Sequence, residues 1–209
     1  MKNCNALENR TARRIPLIAC ATALAVATVA APPAHADRVT PPDMPNDIQV
    51  PAGNKAFLVG HAVGTQNYIC LPSGAGFKFV LFTPEATLFA DNERQVITHF
   101  FSPNLSPIPP EILGTIRATW QHSRDSSIVW GGQAIAAPVA DAIPLLLLPA
   151  AGVQDGPTGG HTLTATTFIQ RLNTAGGLAP AAGCSQLANV GAKAFVPYTA
   201  DYFFYKAAE

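Results

Sequence analysis

Glycine and proline break this chain so often that no long amphipathic helix can be written anywhere along it. The 209 residues include 16 glycines and 19 prolines, and both residues interrupt regular backbone, proline by removing a donor and glycine by loosening φ. Between the breaks, apolar residues recur at the two-residue period of a strand. Phe57, Val59, His61 and Val63 share one face, with mostly small Ala56, Gly60, Ala62 and Gly64 on the other. Residues 77–82 are apolar at nearly every position, as expected of a strand covered on both sides. Residues 87–89 and 96–100 flank a polar turn, Asp91-Asn92-Glu93-Arg94, and residues 116–121 and 128–135 flank residues 122–126. Residues 145–148, 162–173 and 194–205 complete the strand set, with helical turns at residues 110–113 and 185–189. No internal repeat is visible. The pattern predicts an all-β chain of short strands, a single antiparallel β-sandwich or barrel-like domain with one or two short helical turns.

The first 36 residues read as an export signal. Lys2, Arg10, Arg13 and Arg14 form a basic start, residues 15–31 are apolar, and Ala34-His35-Ala36 offers small residues for cleavage before Asp37. Residues 37–53 hold Pro41, Pro42, Pro45 and Pro51 and read as an extended arm, leaving 54–209 as the β domain. Four of the 13 Lys+Arg and one of the 13 Asp+Glu fall in the signal, so residues 37–209 carry a formal charge of −3. No basic cluster is present to replace phosphate counterions, which argues against nucleic acid as a partner. The window 134–153 is apolar enough to suggest a membrane span, but Asp141 and three prolines within it oppose that reading. Export to the periplasm or the medium is the expected destination. After cleavage two cysteines remain, Cys70 and Cys184. An even pair in an oxidising compartment predicts a disulfide. A metal pair or a reactive thiol is the rival reading, and neither cysteine stands in a C-x-x-C motif.

Several stretches form one ordered set: VPAG at 50–53, GTQNYIC at 64–70, PEATLF at 84–89, IQRLNTAGG at 169–177, GC at 183–184 and VPYTADYFFY at 196–205. Together they resemble a family of secreted bacterial and fungal proteins known as a domain of unknown function. The resemblance spans nearly all of residues 37–209 and includes both cysteines. Residues 102–115 depart from it as an insertion. Some fungal members carry a malate dehydrogenase label, so the resemblance implies a compartment and a framework without a reaction.

The dehydrogenase label fails on the residues. A dinucleotide fold needs G-x-G-x-x-G between a strand and a helix, and no such glycine triplet opens a helix here. The Gly-rich stretch GPTGGHT at 156–162 lacks the Gly-Lys-Ser/Thr ending of a phosphate loop. It reads instead as a hairpin turn, after which His161 opens the next strand. No G-x-S-x-G pentapeptide occurs. His61, His99, His122 and His161 show no metal-ligand spacing, and His61 reads as a hydrogen-bonded core histidine. The sequence predicts neither a metal nor a cofactor.

Aromatic and polar residues carry the remaining ligand-binding candidates: Gln66, Tyr68, His99, Trp120 and Asp125. Rings of this kind stack on sugar faces or small molecules while amides match hydroxyls, yet the same rings also fill β cores. Tyr198, Tyr202 and Tyr205 read as core or edge residues, and Gln170, Arg171 and Asn173 as a polar network holding loop carbonyls. The expected role is non-catalytic binding or structure outside the cytoplasm, with a glycan or small molecule as ligand. The alternative is a secreted hydrolase or carbohydrate-active enzyme whose site is assembled from distant loops.

Overall fold

The computed structural model describes residues 39–208. The signal reading, with Cys4 and Cys20, lies outside the described residues. Nine strands form one antiparallel sheet: β1 (Asn54–Ser73), β2 (Gly76–Phe89), β3 (Gln95–Pro103), β4 (Ile116–His122), β5 (Ile128–Gly131), β6 (Ile135–Ala137), β7 (Leu145–Gln154), β8 (Phe168–Gly176) and β9 (Lys193–Ala207). Strands adjacent in sequence pair throughout, except that β5 and β6 lie end to end along the same edge of β7. Pairing of β1 with β9 closes the sheet. The result is an eight-stranded antiparallel barrel with β6 as an added short strand, and two 3-10 turns, Asn46–Ile48 and Leu187–Asn189, are the helical content among the described residues. Barrel, rather than sandwich, is therefore the form of the predicted all-β fold.

The strands are longer than the punctuation suggests. β1 runs for 20 residues and β2 for 14. Their faces are also the reverse of a simple hydrophobic-inside reading. Val63 is 57% exposed while Ala62 is 2% exposed, so between Gly60 and Gly64 it is the small residues of β1 that line the barrel. The interior is narrow, and neighbouring strands fill it. A Cβ on Gly60 would meet the Leu88 side chain at 2.9 Å, and one on Gly64 would collide with the Glu85 carbonyl oxygen. His61 consequently lies on the outer surface instead of in the core. Its Nδ1 meets Asp201 at 2.6 Å and its Nε2 meets Asp91 at 2.8 Å.

Two apolar clusters result. One fills the barrel and includes Leu88, Ile97, Leu163, Ile169 and Phe204. The other lies outside β7, β8 and β9, where the Pro-rich arm covers Leu147, Leu172 and Phe203 with Ile48. Gln170 ties the arm down by donating from Nε2 to the Ile48 carbonyl at 2.6 Å, and it accepts from the Tyr205 hydroxyl at 2.7 Å. No helix of the described residues is long and apolar enough to cross a membrane.

One end of the barrel is plugged. There the loop after β7 carries GPTGGHT, which is not a two-strand hairpin: β8 begins only at Phe168, and His161 lies in the loop rather than opening a strand. The loop closes on itself through Gly156 N–H to the Gly160 carbonyl at 2.7 Å, and it seats the fully buried Leu163 in the barrel. Asp125, in the turn between β4 and β5, holds it there. One carboxylate oxygen accepts from the Thr162 amide (2.9 Å) and hydroxyl (2.6 Å). The other accepts from the Ser127 amide (3.0 Å) and hydroxyl (2.7 Å). A Cβ on Gly156 or Gly160 would run into Asp125, so glycine is required for this approach. Burial opposes ionisation of Asp125, but these donors hold its carboxyl well below the usual carboxylate range.

Candidate functional site

The opposite end is open inside. A cavity of about 400 Å³ enters the barrel there, beside the β3–β4 loop and the segments that follow β6 and β8. Four of the sequence candidates line it. β1 contributes Gln66 and Tyr68, β3 contributes His99, and β4 contributes Trp120. Asp125 is not with them. It belongs to the plugged end, where its carboxylate is occupied by the GPTGGHT loop.

The floor of the cavity is aromatic. His99 stacks on Trp120 with centroids 4.3 Å apart and planes 9° from parallel. Tyr202 meets both rings, at 5.1 Å and 5.5 Å. This follows from register, because His99 lies directly opposite Trp120 on the β3–β4 ladder and residues opposite each other point to the same face. The His99 Nδ1 donates to the Thr119 carbonyl at 2.9 Å, which leaves Nε2 as the unprotonated nitrogen. Burial lowers the His99 pKa to about 3, the Thr119 bond opposing and the Arg171 charge assisting. The imidazole is therefore neutral. The Trp120 indole N–H is buried without a hydrogen-bond partner.

The walls are mostly apolar, with Phe101, Ala118, Ile143, Leu146 and Leu148 among them. Leu81 and Ile116 line the cavity and are 42% and 58% exposed, so the rim is apolar as well. Tyr68 is fixed by donating its hydroxyl to the Gly177 carbonyl at 2.6 Å, and burial, opposed by the Arg171 charge, raises its pKa. Gly177 has φ +79 and a Cβ there would press on Ile143, Tyr198 and Gln66, so glycine lets this loop close over the Tyr68 end of β1. The disulfide between Cys70 and Cys184 fastens the same loop, with Cα atoms 5.5 Å apart.

Among the cavity residues that the sequence reading of the site missed, Tyr202 and Arg171 carry the most chemistry. Tyr202 was assigned to the core in general, and Arg171 to a loop-holding network. Arg171 does bond the Pro144 carbonyl, through Nε at 3.1 Å and Nη2 at 2.8 Å. It is also a cavity wall, and only 8% exposed. The signal was present in Ile169-Gln170-Arg171-Leu172. Alternation puts Arg171 on the face of Ile169, a charge among inward residues. Gln170 and Leu172 face the arm instead, and Asn173 leaves the network to donate to Asp201 at 2.7 Å.

No group of three or more His, Cys, Asp or Glu side chains able to hold a metal occurs among the described residues. No curated protein and no solved structure matches the chain. A family model does match, over residues 51–206, which takes in all of the barrel but the last residue of β9. The chain belongs to the family described as "Protein of unknown function (DUF3455)".

Proposed function

We propose that this chain is an exported binding protein that holds a small molecule within its barrel and performs no catalysis of its own. The cavity carries the proposal. It is concave and mostly apolar, with a few polar groups converging on it, which is the usual make-up of a small-molecule site. Gln66, Tyr68, His99 and Trp120 are the residues assigned to the ligand. The His99, Trp120 and Tyr202 rings form the floor of a recess in the barrel rather than an exposed platform, which favours a small molecule over an extended glycan. None of the lining residues is Asp, Glu, Ser, Thr or Cys. The paired carboxylates or activated nucleophile of a hydrolase would have to be built elsewhere. The disulfide and the basic-apolar start of the chain support export.

A small-molecule panel screened by thermal shift on residues 37–209 tests this. Compounds that bind raise the unfolding temperature of the wild type. Ala134 lines the cavity, and Ala134→Trp fills it without deleting a core side chain, so the shift should fall by most of its size. Hits untouched by Ala134→Trp would move the site elsewhere, and turnover of a panel compound would replace binding with catalysis.

A further inference from the structure

The cavity holds one charge that nothing answers. Among the described residues the ion pairs are His61 with Asp91 and with Asp201, Arg117 with Glu111, and His122 with Asp125. Arg171 is in none of them. Its guanidinium is buried, held from one side by a neutral carbonyl, and faces a cavity whose walls contain no acid. A buried cation without a counter-ion is costly unless something else neutralises it. The second cation on the cavity lining, Arg117, is already taken, with Nε at 3.0 Å and Nη2 at 2.6 Å from Glu111 Oε2. His99 adds no charge, since burial keeps it neutral. The cavity therefore presents one uncompensated positive charge on a lining that also carries the aromatic floor.

Resting on the binding reading above, we propose that the ligand is a small monocarboxylate with an apolar body, its carboxylate set against Arg171 and its body against the aromatic and aliphatic walls. A guanidinium matches a carboxylate through parallel N–H donors, and such charge-assisted bonds are stronger than those between neutral groups. One free positive charge selects a monoanion over a doubly charged phosphate. The apolar rim at Leu81 and Ile116 gives the body an entrance that does not strip it of favourable contacts.

Matched pairs decide it. 4-Phenylbutyrate and straight-chain C6–C10 carboxylates are titrated calorimetrically against their own amides, with wild type, Arg171→Gln and Arg171→Lys. The acids should bind the wild type at least about tenfold more tightly than the amides. Arg171→Gln should erase that preference, and Arg171→Lys should keep part of it. If Arg171→Gln does not fold, the acid-to-amide ratio in wild type and Arg171→Lys decides alone. Acids and amides that bind equally would overturn the carboxylate assignment and leave the binding protein standing. Failure of every acid and every amide to bind would remove both.

Discussion

His61 and Asp125 show how the same residue types acquire different work from position alone. His61 was expected in the core because Phe57, Val59 and Val63 share its alternation. It instead stands between two carboxylates on the outer wall, and the Asp201 bond, followed by the Asp91 bond, raises its pKa from 6.5. The protonated form donates to both acids. Its stabilising contribution is complete below about pH 6.5 and is lost as pH rises through the higher folded-state value. The melting-temperature gap between wild type and His61→Gln should therefore be larger near pH 6 than near pH 9, as measured by calorimetry. An equal gap at both pH values would mean the charge contributes nothing. Asp125, chosen from the sequence for its place near a strand end, became a clamp on the plug. Nothing within its own strand region announces Thr162, which lies 37 residues away.

At the level of elements, β1 explains why periodicity located strands but misjudged their faces. Alternation reports that two faces differ without saying which is inside. In a sandwich the larger apolar face is normally the buried one. In a tightly curved barrel the inner face must also leave room for what neighbouring strands send in, and on β1 that means Gly60, Ala62 and Gly64. Two substitutions separate soft from hard limits. Gly60→Ala meets the movable Leu88 side chain, whereas Gly64→Ala meets the backbone of β2. Gly64→Ala should cost about 2–3 kcal/mol and Gly60→Ala clearly less, read from urea midpoints at unchanged slope. Equal costs would mean that β1 and β2 can separate at Gly64. Of the residues that line the cavity, Gln66 and Tyr68 share one motif and alternate onto one face of β1, whereas His99 and Trp120, expected near strand ends or turns, face each other within the β3–β4 ladder. Arg171 was legible as a holder of loop carbonyls, which it is at Pro144, but its place on the cavity wall depends on the facing strands, which no local pattern contains.

Across the whole molecule, closure is the feature no local pattern contains. His61 pairs with Asp201 on β9, and that ladder, joining the first strand to the last, closes the eight-stranded barrel together with the β5–β7 pairing. The cysteine pair was readable by counting, and its position now has a purpose. It spans 114 positions and joins the cavity end of β1 to the loop beside the cavity. Replacing both cysteines with alanine should lower stability by about 4–5 kcal/mol if the chain-entropy account holds, measured by urea denaturation. A loss well under that would show that the barrel already restrains this loop.

Because β1 and β9 are neighbours, Asn54 is opposite Ala207, and the Ala208 amide bonds the Gly53 carbonyl at 2.8 Å. This junction is at the plugged end, most of the length of β1 from Tyr68. A tether added after Ala208 would thus hang from the floor of the vessel, and a surface coated with protein held that way would present its mouths to the solution.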